Sequence, residues 1–218
     1  AITGAGRVTP IDWAAETIPA GGVTVLHGDC AARNKEPVLL NTLTALMQGG
    51  REQVMVQTPY IICNRAMYDA LEKAGGAAQV QIITNAPQRG ANPWGCADYL
   101  NQKKAILSTG VSVCEWHGER SMHTKTILID DRFSIIGSFN WDMRSAYLDT
   151  ELMLLVDCPE LNAALRAETD EMVRQGRLLL PDGTAVEGAA YTAPEMPLYK
   201  KLLQPVLRVV IRPFRYVL

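Results

Sequence analysis

The sequence predicts an α/β protein in which a mixed, largely parallel β-sheet is flanked by helices. Short apolar runs at residues 22–26, 54–58 and 80–84 have the length of buried strands. Between these runs, residues 37–47 and the segment after Asn64 carry apolar side chains at helical spacing, and each segment ends at a pair of glycines. A β-α-β-α-β order of this kind favours parallel strands that are covered by helices.

The next elements continue the alternation. Residues 97–108 are expected to be helical, residues 111–116 and 151–156 to be strands, and residues 159–175 to be an amphipathic helix that Gly176 ends. The 218 residues are enough for one domain with a sizeable core. We expect residues 1–21 to be a lead-in or linker, residues 22–180 to be the domain, and residues 181–218 to be a loop and a tail.

A loop rich in Pro and Gly is predicted at residues 85–96, directly after the strand at 80–84. Ligand-binding loops of α/β proteins follow the carboxyl ends of strands. Arg89 and Trp94 are therefore candidates for contact with a substrate head group. A packed surface loop is the alternative.

The tail at residues 198–218 is basic, with five cations and no acid: Lys200, Lys201, Arg208, Arg212 and Arg215. Apolar residues are interleaved with these cations, and Pro205 and Pro213 are expected to break the segment into short pieces. Such a tail suits the interface of an anionic membrane. The alternative is a terminal helix that covers an apolar face of the domain.

The composition excludes several classes of protein. The tail holds five of the 21 basic residues, so the rest of the chain is acidic, which argues against sequence-independent nucleic-acid binding. The five cysteines are not closely spaced, so neither a disulfide framework nor a zinc site is expected, and a reducing environment fits. No signal peptide or spanning segment is visible. Because the chain begins at Ala1, we expect a piece of a longer protein.

Two polar motifs lie on one predicted β-hairpin. The first is residues 121–130, SMHTKTILID, and the second is residues 137–140, GSFN. Side chains in a strand alternate, so His123 and Lys125 are expected on one side. With Asp131 and Arg132 as a two-residue loop, Ser138 would lie opposite Lys125 and Asn140 opposite His123.

These side chains suit phosphodiester chemistry. A neutral imidazole can attack phosphorus or transfer a proton near neutral pH. Lys125 supplies a positive charge for the non-bridging oxygens, and Ser138 and Asn140 add neutral hydrogen-bond donors. With cations already balancing the phosphoryl charge, no metal and no cofactor are expected.

The full pattern, His-x-Lys-(x)4-Asp-(x)6-Gly-Ser-x-Asn, resembles the signature of the phospholipase D superfamily. It is matched by six residues: His123, Lys125, Asp130, Gly137, Ser138 and Asn140. The following segment, residues 142–151, resembles the one after the second such motif in bacterial cardiolipin synthases, except that the family more often has Asn where this chain has Asp149. The resemblance implies a phospholipase D-like fold and a catalytic half-domain with an active-site hairpin.

Catalytic roles are implied for His123, Lys125, Asp130 and Glu151, with phosphate contacts from His123, Lys125, Ser138 and Asn140. In the family, the corresponding glutamate orients the motif histidine. Enzymes with two motifs use one histidine as nucleophile and the other as general acid/base. The resemblance to the second half favours the acid/base role for His123. The other motif would come from an N-terminal half of the same protein or from a second copy.

The resemblance implies a cardiolipin synthase-like phosphatidyltransferase. It would transfer or hydrolyse a phosphatidyl group through a phosphohistidine, peripherally, at the cytoplasmic face of the bacterial inner membrane. No nucleic-acid partner is expected for this function. A single-motif phosphodiesterase or nuclease that works as a homodimer is the alternative. A lipid-binding domain without activity is a third hypothesis.

Overall fold

The computed structural model describes residues 10–31, 35–193 and 195–218. Part of the predicted lead-in, residues 1–9, lies outside the described residues. The strands are β1 (Gly22–His27), β2 (Gln53–Gln57), β3 (Ile61–Ile62), β4 (Gln79–Asn85), β5 (Ser112–Trp116), β6 (Thr126–Ile129), β7 (Phe133–Gly137), β8 (Trp141–Asp142), β9 (Leu152–Asp157), β10 (Gly176–Leu179) and β11 (Ala185–Glu187). The helices are α1 (Val38–Gln48), α2 (Arg65–Gly75), α3 (Pro93–Leu107), α4 (Met143–Tyr147), α5 (Pro159–Gln175) and α6 (Leu198–Val210), followed by a 3-10 turn, Arg212–Val217.

The predicted mixed α/β fold is confirmed. Nine strands form one sheet in the order β1-β9-β7-β6-β2-β4-β5-β10-β11, and β3 pairs with β8 in a separate small sheet. Within the large sheet, β4 pairs in parallel with β2 and β5, and the outer pairs are antiparallel. The parallel unit therefore begins at β2, because β1 lies at the edge and pairs antiparallel with β9.

Helices pack on both faces of the sheet. The larger core lies under α1, α2 and α3, where Leu43, Met67 and Ile106 are fully buried. The smaller core lies under α5, where Met172 and Val173 pack on Met55 and Leu128. Burial of these apolar surfaces is the main favourable contribution to folding.

Side-chain caps fix the starts of two helices. Asn64 accepts a hydrogen bond from the backbone N–H of Met67 and begins α2, as its sequence position predicts. Asn92 accepts from the backbone N–H groups of Trp94 and Gly95, so α3 begins at Pro93. The prediction of a helix over 97–108 places this start four residues too late, because the Pro and Gly residues of 85–96 indicate a loop while Asn92 in fact caps the helix.

The tail forms a helix that docks on α3. The expectation that Pro205 breaks the tail is wrong, since α6 continues from Leu198 to Val210 with Pro205 inside it. Leu207 and Ile211 are buried. The alternative for the tail, a terminal helix that covers the domain, is thus present in the structure. The membrane interpretation stays a prediction and concerns the opposite face of the same helix. No described helix has the length and apolar character needed to cross a bilayer.

Candidate active site

The site lies at one edge of the sheet, where the carboxyl ends of the parallel strands meet the open end of the β6–β7 hairpin. Gln57, the last residue of β2, pairs with Thr126, the first residue of β6. The two residues that flank this point, Lys125 and Gly137, are joined by a backbone hydrogen bond of 3.2 Å. Ligand sites of open α/β sheets form at this kind of edge.

The predicted hairpin is present, but its predicted register is wrong by one residue. Ile129 pairs with Phe133, so three residues form the connection and Gly137 rather than Ser138 lies opposite Lys125. Asp130 is the cause, because it adopts a φ of 49° and leaves the strand. Such a left-handed conformation is tolerated by Asp. His123 and Asn140 lie beyond the ends of the paired strands.

His123 is exposed at the end of the segment that leads into β6. Its ring meets the ring of Tyr60 edge-on, with centroids 6.4 Å apart. Partial burial lowers the pKa of His123 below its usual value, and the nearby Lys125 lowers it further. The neutral imidazole is therefore the dominant form at neutral pH.

Lys125 is buried, with 9% of its surface exposed. Its Nζ atom donates a hydrogen bond to the backbone carbonyl oxygen of His123 at 2.7 Å. Burial lowers the pKa of Lys125, whereas the carboxylates of Glu151 and Asp142 oppose this shift. The site thus holds a desolvated cation beside an exposed imidazole.

Glu151 belongs to a chain of hydroxyl and carboxylate groups below the site. Its carboxylate accepts hydrogen bonds from the hydroxyls of Ser138 and Ser145, the latter at 2.8 Å. Ser145 also accepts from the backbone N–H of Asn140. Among the described residues, Glu151 makes no hydrogen bond to His123, so the structure brings Glu151 to Ser138 and Lys125 rather than to the imidazole.

Ser138 and Asn140 are held by the backbone and by hydroxyl groups. Ser138 Oγ accepts from the backbone N–H of Leu152 at 3.0 Å, and the Ser138 N–H donates to the Leu152 carbonyl oxygen. The Oδ1 atom of Asn140 is buried and has no hydrogen-bond partner among the described residues. The unpaired atom is an acceptor, so its spare capacity is for a hydrogen-bond donor, and a contact of Asn140 with a phosphate oxygen would have to come from its amide N–H groups.

Asp130 lies at the other end of β6, away from His123. Its carboxylate accepts from the backbone N–H groups of Arg51, Glu52 and Gln53, at 2.9 Å for Glu52. Burial alone would raise the pKa of Asp130, but these N–H groups keep it below its usual value. The structure therefore gives Asp130 a positioning role, with the hairpin tied to the start of β2, and does not bring it to His123 or Lys125.

Arg89 and Trp94 flank the start of α3. Arg89 is exposed, and Trp94 lies in the first turn of the helix and is 40% exposed. No described contact joins either side chain to His123 or Lys125, so a head-group role for Arg89 and Trp94 stays a prediction.

Two site residues are missing from the sequence prediction. Tyr60 follows the end of β2 and faces His123. Asn85 ends β4, and its side-chain amide both accepts from the Met122 N–H at 2.7 Å and donates to the Met122 carbonyl oxygen at 2.9 Å. It thereby fixes the residue before His123. The position of both residues at the carboxyl ends of parallel strands is the signal that finds them.

Comparisons with known proteins fit this geometry. The family model described as "Cardiolipin synthase, PLD-like domain" matches residues 43–173, more than half of the chain. The chain belongs to this family. The match includes His123, Lys125, Ser138, Asn140 and Glu151, and it identifies the domain as phospholipase D-like.

Individual relatives agree with the family assignment. Cardiolipin synthase A of Salmonella arizonae is 26% identical over 197 residues, which is 81% of this chain and 39% of the relative. The chain thus spans about two fifths of that relative's length. Among solved structures, Nuc, a phospholipase D family member from Salmonella typhimurium, aligns with a TM-score of 0.59 and 16% identity, covering 73% of this chain and 99% of Nuc. Phosphatidylserine synthase of Haemophilus influenzae aligns with a TM-score of 0.60 and 19% identity, covering 90% of this chain and 48% of the synthase.

Proposed function

We propose that this chain is the second motif-bearing half of a cardiolipin synthase-like phosphatidyltransferase. The observation that carries the proposal is the pairing of an exposed imidazole at His123 with the buried cation of Lys125. Residues 22–180 are the catalytic half-domain in this proposal, and residues 181–218 are an added tail. The substrate is a phospholipid, and the acceptor is the alcohol of a second lipid or water.

Each side chain has a role in the proposed transfer. The nucleophile is a histidine of the other motif, which forms a phosphohistidine as the P–O bond to the leaving alcohol breaks. His123 enters this step as the imidazolium, gives the leaving alcohol its proton and becomes neutral. The neutral imidazole then takes the proton of the acceptor as the acceptor attacks phosphorus and releases the other histidine. Lys125 and Asn140 bind the non-bridging oxygens. Ser138 donates its single hydroxyl hydrogen to Glu151 in the structure, so in this proposal the hydroxyl turns from Glu151 to phosphate when substrate binds.

An open sheet face beside the site supports the need for a second half. Val23, Val25, Leu152 and Leu154 lie on the side of the sheet that carries α5, and they are 37% to 60% exposed. Leu152 is hydrogen-bonded to Ser138, so this apolar face continues directly from the site. Exposed apolar area of this kind marks an interaction surface. We assign it to the N-terminal half of a protein as long as the cardiolipin synthase relative.

The runner-up function is a single-motif phosphodiesterase or nuclease in which a second copy covers the same face. The alignment with Nuc favours this function. It covers 99% of Nuc, so Nuc is a chain of about one such domain. The acidic body of the chain disfavours a nucleic-acid substrate.

The proposed site of action is the cytoplasmic face of the bacterial inner membrane, where the enzyme binds peripherally to anionic lipid. The exposed cations of the tail, Lys201 and Arg212, and the tail's lack of acids support this location. Arg89 and Trp94 border the head group of the bound lipid in this proposal. No metal or other cofactor takes part.

The decisive experiment compares phosphatidylglycerol turnover by this chain and by a version extended at its N-terminus. Each is measured with His123→Ala and with the matched control His117→Gln. We expect turnover in the extended protein only, lost by at least about 1,000-fold in His123→Ala and retained in the control. Turnover by the short chain that follows dimer formation would favour the second function. Turnover that survives His123→Ala would overturn both functions.

A further inference from the structure

Helix α6 is attached to the domain by its polar groups. Lys200 Nζ donates to the carbonyl oxygens of Gln88 and Gly90, at 2.9 and 3.0 Å. Arg208 Nε donates to the side chain of Asn101 at 2.9 Å. These contacts hold the helix against α3 and against the loop that precedes it.

The segment after α6 is attached in the same way. Arg215 forms an ion pair of 2.9 Å with Asp98, whose side chain is fully buried, and it also donates to the carbonyl oxygen of Cys63. Three of the five cations of the tail, Lys200, Arg208 and Arg215, thus bind the protein itself. They are not the freely projecting charges that the sequence pattern indicates.

The face of α6 opposite α3 is apolar and uncovered by any described residue. Its side chains are 43% to 72% exposed and recur at spacings of three and four, which places them on one side of the helix. They define the α6 apolar face: Leu198, Tyr199, Leu202, Leu203, Val206, Val209 and Val210. Phe214, Tyr216 and Val217 extend the exposed apolar surface into the 3-10 turn.

The charges next to this face are positive. Lys201 and Arg212 are exposed, take part in no described salt bridge, and flank the α6 apolar face. Residues 198–218 contain no Asp or Glu. An apolar stripe with cations at its border matches the chemistry of a bilayer interface that contains anionic lipid, where apolar side chains enter the acyl boundary and cations meet head groups.

The α6 apolar face is also continuous with the catalytic edge. A small apolar pocket between α6 and the start of α3 is lined by Pro87, Cys96 and Leu203. The loop that forms its wall also contacts the segment before His123, since the Ala91 N–H donates to Ser121 Oγ. A membrane in contact with α6 would therefore lie close to the sheet edge that carries His123.

We propose that the α6 apolar face inserts into the interface of an anionic bilayer and presents the His123 edge to lipid head groups. This inference rests on the proposed function, because membrane contact serves catalysis only if the substrate is a lipid. It refines the interfacial tail that the sequence predicts, because the structure leaves few cations free and burial of apolar side chains then supplies most of the affinity. Lys201 and Arg212 add a smaller contribution that depends on salt.

The test is sedimentation of this chain with vesicles of phosphatidylglycerol and phosphatidylethanolamine. The variant Leu202→Ser/Val206→Ser/Val209→Ser removes the centre of the α6 apolar face without touching the contacts to α3. The matched control, Ile18→Ser/Val38→Ser/Val186→Ser, changes three exposed apolar residues elsewhere. Thermal unfolding confirms that both variants are folded.

We expect the partition coefficient to fall by about 100-fold in the α6 variant and by less than about twofold in the control. Raising the salt from roughly 0.1 to 0.5 M should weaken wild-type binding by less than about tenfold. Unchanged vesicle binding in the α6 variant would overturn the proposal. So would a wild-type dimer that the variant converts to monomer, since the face would then cover a second copy.

Turnover by the N-terminally extended protein separates this inference from the proposed function. The α6 variant should lose turnover of vesicle lipid and keep turnover of a soluble short-chain phosphatidylglycerol. Loss of both would overturn the membrane role, because the face would then serve the catalytic unit itself. If His123→Ala left turnover unchanged while the α6 variant still lost vesicle binding, the proposed function would fail and the membrane inference would stand.

Discussion

The ammonium group of Lys125 donates a 2.7 Å hydrogen bond to the backbone carbonyl oxygen of His123. The contact fixes the ammonium group at the backbone of His123 and leaves its other two N–H bonds for phosphate oxygens. Because Lys125 is buried, its charge acts with little screening by solvent.

Replacement of Lys125 by Gln should reduce kcat/KM for phosphodiester turnover by about 100- to 1,000-fold, because the transition state loses its buried cation. The stability of the fold should change little. Lys104→Gln, an exposed lysine of α3, is the matched control and should stay within twofold of the wild type. Turnover by Lys125→Gln close to that of the control would show that Lys125 does not contact the reacting group.

Glu151 should set the alkaline limit of activity through Lys125. Lys125 must be protonated, so activity falls as the pH rises through its pKa. Burial lowers that pKa and Glu151 opposes the shift, so Glu151→Gln should move the alkaline limb of the pH–rate profile to lower pH.

The matched control for this profile is Asp149→Asn, which removes a carboxylate whose partner is Arg144 at 2.9 Å. Its alkaline limb should coincide with that of the wild type. If the Glu151→Gln profile kept the wild-type alkaline limb, Glu151 would not influence the protonation of Lys125.

Asp130→Ala should destabilise the fold by about 1 to 2 kcal/mol, because three backbone N–H groups lose their acceptor. Urea unfolding measures this loss, and kcat should stay near the wild-type value while the variant is folded. The folded-state pKa of Asp130 is depressed. The contribution of the ionised carboxylate is therefore present above the unfolded pKa of about 3.9 and is lost as the pH falls through the folded value.

Asp131→Asn serves as the control for Asp130, since Asp131 is the exposed neighbour in the same turn. It should leave the unfolding midpoint unchanged. A loss of kcat in Asp130→Ala at full folding would instead give Asp130 a direct part in the chemistry.

Gly137→Ala should destabilise the protein by about 2 kcal/mol or more. A Cβ atom at this position would lie 2.2 Å from the Leu152 carbonyl oxygen and 2.7 Å from Met153 Sδ, so β7 and β9 would have to separate. Gly22→Ala is the matched control, because a Cβ there meets nothing within 4 Å. Equal unfolding midpoints for the two variants would show that β7 and β9 adjust without cost.

The close approach at Gly137 also illustrates what sequence reasoning can and cannot reach. The sequence predicts a hairpin with Ser138 opposite Lys125, whereas Gly137 takes that place in the structure. The register is wrong by one residue because the φ of Asp130 depends on amides of Arg51 to Gln53, nearly eighty residues away in the sequence. Local turn rules do not include such a contact.

Tertiary contacts also determine the helical conformation of the tail and the position of Asn85 next to the site. Pro205 lacks a backbone N–H, yet the burial of Leu207 and Ile211 on α3 stabilises a helix through it. Asn85 reaches Met122 only because β4 and the segment before β6 end at the same edge. Periodicity predicts seven of the eleven described strands, and α5 has the predicted bounds, but it misses the short strands β3, β8, β10 and β11.

The open face of β1 and β9 should be needed for the second half to bind. Val25 and Leu154 pair across the two strands and are 55% and 37% exposed. Val25→Asp would place a charge in the proposed apolar interface, so the extended protein should lose turnover by at least about tenfold. Thr24→Asp, the neighbouring exposed residue on the opposite face of β1, is the control, and circular dichroism checks that both variants fold. Loss of turnover in Thr24→Asp alone would place the interface on the other face of the sheet. Full turnover in both variants would show that β1 is not part of the interface.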